Sequence, residues 1–212
     1  MTYNAHQHYV STCYFCPPND TYQKGLIISG SNDKVVYVFE LGKVEPLYTL
    51  CGHTDAICCI ACGNYAKKLF IATASWDTTI KVWENGLCRA TLSSHTAAVW
   101  CCCFVDSTCL WSGSADKTIK VWALTRNSQK LVATLEGHTD AVRGLVFLPA
   151  TSTRHVASCS NDASIMIWST QTYECLKVLR GHNNYIYSIC RLNAGSGFVT
   201  CGEDKTLKFS EF

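Results

Sequence analysis

At 212 residues, with 48% hydrophobic and 16% charged side chains, the chain has ample material for a packed core and is too apolar to be a disordered tail. Its 18 basic and 16 acidic residues leave a net charge of +2 and form no Lys or Arg run, so neither nucleic acid nor an anionic membrane surface is expected as the main partner. The longest apolar run, Ala97 to Val105, is too short to insert into a membrane, and the opening MTYNAHQHYV lacks the basic and apolar regions of a secretory signal.

In chain order the residues fall into five similar segments. The first, approximately 6–52, opens on His6 and carries Ser29, Asp33 and Phe39. The second, 53–94, repeats the marks as His53, Thr73, Asp77 and Trp83; the third, 95–137, as His95, Ser112, Asp116 and Trp122. The fourth, 138–181, has His138, Ser158, Asp162 and Trp168. Here the strands are clearest: Val142 to Phe147, Val156 to Ser160, Ser164 to Trp168 and Glu174 to Leu179. Alternation, β-branched residues and regular turns favour strands over helices. The fifth segment, 182–212, has His182, Thr200 and Asp204, but Ser210 stands where three other segments have Trp, and no outer strand follows Phe209.

A period near 43 residues, from a Gly-His start to an Asp followed six residues later by Trp, is the WD-repeat pattern, one four-stranded propeller blade per repeat. The expected fold is therefore all-β: a WD-repeat β-propeller region over 1–212, with five readable blades of a probable seven, the last incomplete. Met1 to Asn4 offers a makeshift closing strand for such a partial propeller. The Ser or Thr stands four residues before each Asp, an even offset that keeps it on one face of its strand. Buried polar groups need partners, so His, Ser or Thr, Asp and Trp are expected to bond to one another inside each blade.

The same set invites a hydrolase reading. It recurs five times, whereas an active site needs one activated nucleophile, and no nucleophile elbow or phosphate-binding glycine loop is present. The chain is expected not to be an enzyme and to need no cofactor. Fifteen cysteines could mark a disulfide framework, but Cys58, Cys59, Cys101, Cys102 and Cys103 occupy positions where sister segments carry small or apolar residues. Reduced Cys packs as a small hydrophobe, which suits a cytoplasmic and nuclear setting. Two Cys-x-x-Cys pairs, Cys13 to Cys16 and Cys59 to Cys62, are not expected to hold zinc or do redox chemistry, because neighbours along a strand point to opposite faces.

HTAAVW at 95–100, SWDTTIKVW at 75–83, GSADKTIKVW at 113–122, TDAVRGL at 139–145, NDASI at 161–165, ECLKV at 174–178 and GHNNYIYSI at 181–189 resemble the propeller of the phospholipase A-2-activating protein family. Several of these matches lie outside the shared repeat consensus. The resemblance implies a seven-bladed propeller followed by a ubiquitin-binding domain and a helical-repeat domain that docks on the valosin-containing AAA ATPase. It implies an adaptor in ubiquitin-dependent protein turnover and ubiquitin recycling whose propeller also contacts ubiquitin or ubiquitinated protein. The ATPase contact belongs to the helical-repeat domain, for which these residues have no counterpart.

Binding is expected at one rim, where loops and strand starts free side chains from the core. Positions three and five after each His flank an apolar core residue (Val10, Ile57, Val99, Val142 or Ile186), and the residue before each Asp shares that rim. These positions hold Tyr9, Trp76, Trp100, Arg143, Asn161, Tyr185 and Tyr187, beside smaller residues such as Ala56 and Ala141 and the acidic Glu203. Tyr, Trp and Arg dominate binding hot spots, so this set is the expected contact for the apolar face of ubiquitin. The alternatives are a phosphopeptide-reading substrate receptor of a ubiquitin ligase, which would need several Arg on the rim, or a generic WD-repeat scaffold.

Overall fold

The computed structural model describes residues 2–19, 21–65, 68–125, 128–149, 154–192 and 197–211. They form two compact units, Met1–Val99 and Trp100–Phe212. The first unit holds two four-stranded antiparallel sheets. One is β1 (Val10–Cys16), β2 (Leu26–Ser31), β3 (Val36–Glu40) and β4 (Tyr48–Leu50) in that order; the other is β5 (Ile57–Tyr65), β6 (Lys68–Ser75), β7 (Thr79–Glu84) and β8 (Leu87–Ser93). The second unit continues with β9 (Val99–Phe104), β10 (Cys109–Ser114), β11 (Ile119–Leu124) and β12 (Gln129–Leu135), then β13 (Val142–Pro149), β14 (Arg154–Ser160), β15 (Ser164–Ser169) and β16 (Cys175–Arg180). A three-stranded sheet of β17 (Ile186–Arg191), β18 (Phe198–Gly202) and β19 (Leu207–Ser210) completes it. The chain thus builds five blades of an all-β WD40 propeller fold.

In the first, second, fourth and fifth blades the polar set locks the sheet. In the second blade His53 Nδ1 lies 2.7 Å from Asp77 Oδ2 and its Nε2 lies 2.8 Å from Thr73 Oγ1, which also accepts the Trp83 indole N–H at 2.9 Å. Burial pushes His53 below its usual value, so the neutral ring donates from Nδ1 and accepts the Thr73 hydroxyl at Nε2. The fourth blade repeats this with His138, Asp162, Ser158 and Trp168 at 2.7–2.9 Å. His182, Asp204 and Thr200 do so in the fifth, and His6, Asp33 and Ser29 in the first. Where the first blade replaces Trp with Phe39, no indole is available to Ser29. The Tyr3 ring instead packs on Phe39 with centroids 4.7 Å apart. Residues 2–9 adopt no strand, so the expected closing strand from the N-terminus is not formed, and Met1 lies outside the described residues.

The Asp also shapes the turn it sits in. Its backbone N–H donates to the Ser hydroxyl two residues back (Ser75 to Asp77, 3.1 Å), and its Oδ1 accepts from the amide two residues on (Thr79, 2.9 Å). These bonds hold the intervening residue in the left-handed region: Lys34, Thr78, Lys117, Ala163 and Lys205 all have φ between 62° and 73°. That conformation is costly for a non-glycine residue and persists only where neighbours dictate it.

Between sheets, small residues admit large ones. A methyl group added at Gly30 on β2 would stand 2.6 Å from Ile57 Cγ2 on β5, and one at Gly113 on β10 would meet Val142 Cγ1 at the same distance. The inner strands β5 and β13 therefore seat their first apolar residue, Ile57 and Val142, against the glycine of the preceding blade. Ile57, Val99, Val142 and Ile186 are buried as expected, but Val10 is 55% exposed. Among the described residues no preceding glycine strand exists to cover it.

Two stability outcomes follow from the polar sets. Thr73→Val keeps the side-chain shape but strands the His53 and Trp83 ring nitrogens; it should cost about 1–3 kcal/mol in urea unfolding, and an unchanged midpoint would mean the bonds contribute nothing. Burial acts to raise the Asp77 carboxyl, yet hydrogen bonds from Thr79, Thr54 and His53 outweigh it and hold it at about 2, below the ordinary 3.8. Its contribution is complete above pH 3.8 and disappears as pH falls toward 2, because the unfolded chain takes up the proton first. His53, lowered from 6.5, adds an earlier decline as pH falls below 6.5, since only the unfolded ring then protonates readily. Unfolding free energies measured from pH 8 to 2 should show both declines, and Asp77→Asn should flatten the lower one.

Candidate protein-interaction rim

The inner strand of a blade leaves the Gly-His turn and carries a bulge at its second residue. Register slips between Val10 and Thr12 on β1, Ile57 and Cys59 on β5, Val142 and Gly144 on β13, and Ile186 and Ser188 on β17. The skipped residues are Ser11, Cys58, Arg143 and Tyr187, the positions five after the His. A bulge leaves one residue without a cross-strand partner and re-aims its side chain. Strand alternation alone predicted outward side chains here; the bulge is what turns Arg143 and Tyr187 to the rim.

In the second unit three expected rim residues meet. The Arg143 guanidinium carbon lies 3.9 Å from the centre of the Trp100 ring and 5.8 Å from that of Tyr187. A planar cation between two aromatic faces is held by their quadrupoles and fixes both rings. Partial desolvation and then the charge of the Glu203 carboxylate push the Tyr187 phenol up. Glu203 donates its backbone N–H to Tyr185 O at 2.8 Å, tying the fifth blade's turn to the same strand start. Glu203, placed on this rim by position but left out of the expected contact set, thus acts electrostatically on Tyr187. Asn161 is half-buried; its N–H donates to Ala141 O at 3.0 Å, and its side-chain oxygen is buried without a hydrogen-bond partner.

The first unit carries Tyr9 and Trp76. Tyr9 is 76% exposed, its ring edge-on to His8 at 4.8 Å, and Trp76 is 46% exposed with its N–H donating to Ala56 O at 3.0 Å. Ala56 and Ala141, expected at the rim, are buried. The Asp-containing turn folds over each alanine to reach its carbonyl, and a methyl group is too short to emerge.

The repeated His and Ser or Thr sets offer no accessible nucleophile in the second and fourth blades. Thr73 and Ser158 are fully buried, each between an indole N–H and an imidazole. Among the described residues no three His, Cys, Asp or Glu side chains gather to hold a metal ion. What the surface does present is an aromatic and cationic patch suited to protein recognition.

Comparison with known proteins shows the repeat family. Residues 1–40, 44–84, 86–123, 129–169 and 173–209 each match the WD domain, G-beta repeat family. The ubiquitin homeostasis protein lub1 of Schizosaccharomyces pombe is 36% identical over 206 residues, 97% of this chain and 27% of that protein. Phospholipase A-2-activating protein of Xenopus laevis is 45% identical over 97 residues, 46% of this chain and 12% of that protein. The solved WD40 β-propeller domain of Doa1 superposes with a TM-score of 0.83 at 27% identity, covering 98% of this chain and 66% of that one. The chain therefore spans a minor part of its curated relatives.

The stack makes its own prediction. Arg143→Ala and Trp100→Ala, combined in a double-mutant cycle read by thermal or urea unfolding, should show a coupling of about 0.5–1 kcal/mol. Additive effects would show that the two side chains do not support one another.

Proposed function

The chain belongs to the WD domain, G-beta repeat family, and from that premise we propose that it is a ubiquitin-binding interaction platform, an adaptor in ubiquitin-dependent protein turnover and ubiquitin recycling. The observation that carries this reading is the stack of Trp100, Arg143 and Tyr187 on the rim of the second unit. Its rings are fixed before a partner arrives, which lowers the ordering cost of binding, and it joins broad apolar faces to a cation. The names of relatives, a ubiquitin homeostasis protein among them, point to ubiquitin as the partner. The same relatives and the propeller fold argue for a non-enzymatic scaffold.

Tyr185 and Asn161 complete the proposed patch in that unit, while Tyr9 and Trp76 supply exposed aromatic surface in the first. A phosphopeptide receptor is disfavoured, because among the expected rim residues Arg143 is the one cation and aromatic rings flank its guanidinium. Seven blades in the complete propeller, docking of the full-length protein to the valosin-containing AAA ATPase, and residence in cytoplasm and nucleus belong to the same proposal.

Calorimetric titration with mono-ubiquitin tests it. Trp100→Ala or Tyr187→Ala should each weaken binding by about 1–2 kcal/mol, roughly five- to thirtyfold. Unchanged affinity in both variants, or preferential binding of a phosphopeptide, would remove the patch from the account.

A further inference from the structure

Four backbone amides at the strand starts and turns of the second unit's rim already have their acceptors. The Ala141 N–H donates to Asp140 Oδ1 at 2.7 Å, Asn161 to Ala141 O at 3.0 Å, Tyr185 to Asn184 Oδ1 at 2.9 Å and Glu203 to Tyr185 O at 2.8 Å. The Arg143 side chain differs. Among the described residues nothing accepts a hydrogen bond from its guanidinium, and no carboxylate pairs with it. Its guanidinium carbon lies over the Trp100 ring at 3.9 Å and reaches the Tyr187 ring at 5.8 Å. Stacking occupies the flat face of a guanidinium and leaves its N–H bonds free in the plane. A half-buried cation with unspent donors is ready for an acceptor that another molecule brings.

We propose that Arg143 is the specificity-determining residue of this rim, and that it takes the side-chain carboxylate of an Asp or Glu on the bound protein. The identity of that protein as ubiquitin rests on the function proposed for the chain; the chemistry of the contact does not.

The fork of parallel N–H bonds matches the two oxygens of one carboxylate, so the contact is bidentate and charge-assisted. The Trp100 face holds the fork before the partner arrives, which reduces the side-chain entropy lost on binding. An Asn or Gln amide in the same place would turn N–H against N–H and keep one bond of the two. The site therefore discriminates charge as well as shape. A free C-terminal carboxylate is captured by a nest of backbone N–H groups, and here those amides are spent on the rim's own turns. A phosphate dianion asks for several cations, whereas Arg143 shares its rim with the exposed carboxylate of Glu203.

Calorimetric titration of the full chain with mono-ubiquitin gives the first test. Arg143→Lys keeps the charge but loses the fork, and should weaken binding roughly tenfold. One Asp→Asn or Glu→Gln replacement among ubiquitin's acidic residues should do the same. Those two changes combined should cost no more than either alone. The reversed pair, Arg143→Glu with that ubiquitin acid changed to Arg, should recover binding. Ubiquitin amidated at its C-terminus should bind as the parent does. Unaltered affinity in Arg143→Lys, no acidic replacement coupled to Arg143, or a loss on amidation would overturn the proposal. A second test needs no ubiquitin. In heteronuclear NMR spectra of the wild-type chain, the α-amide of N-acetylglutamate should shift the Arg143 Nε–H resonance, and the α-amide of N-acetylglutamine should leave it in place. A chain that binds no ubiquitin yet shows this difference loses the ubiquitin reading and keeps the carboxylate site. One whose Arg143 resonance ignores both probes, or answers both alike, loses the site.

Discussion

The structure depends on an ionised aspartate held at the mouth of each blade. A carboxylate so close to the core persists only if donors surround it, and Asp77 collects them from Thr54, Thr79 and His53. Because these donors come from the Gly-His turn and from the strand after Asp77, satisfying one charge fixes two loops at once. The imidazole then hands the constraint inward to Thr73 and the Trp83 indole. A polar line thus runs from the rim into the sheet, and its bonds define how the strands align.

Packing between blades completes what the polar line begins. Glycine on a second strand leaves room for a β-branched residue on the next inner strand, as at Gly30 with Ile57 and Gly113 with Val142. Tight contact of this kind tolerates little added volume, since protein interiors are already close-packed. On β1, β5, β13 and β17 the strand bulges just after its first apolar residue, and the spare residue turns outward.

Recognition chemistry collects at that spare position. The fold places Arg143 and Tyr187 at bulges, with Trp100 at the equivalent position of the third repeat, and it makes their side chains meet. A scaffold held by repeated buried bonds can vary these residues at small cost to stability, so binding character is free to change while the blade stays the same. The polar sets that look catalytic bond to one another inside the blades, and the rim residues at the bulges are those proposed to meet a partner.

Much of this was legible in the residues alone. The repeat of His, Ser or Thr, Asp and Trp determined the blades, the strand order within them and the internal bonding, because each of those features depends on short-range spacing and on the need to satisfy a buried charge. Residue type likewise marked the rim. Tertiary structure decided the rest. Spacing could not show that Val10 lacks a covering glycine or that Ala56 and Ala141 lie beneath turns. Nor could it show that Arg143 stacks over Trp100 and reaches Tyr187. These outcomes depend on which side chains from different repeats arrive at the same place, a distance set by sheet packing and not by separation along the chain.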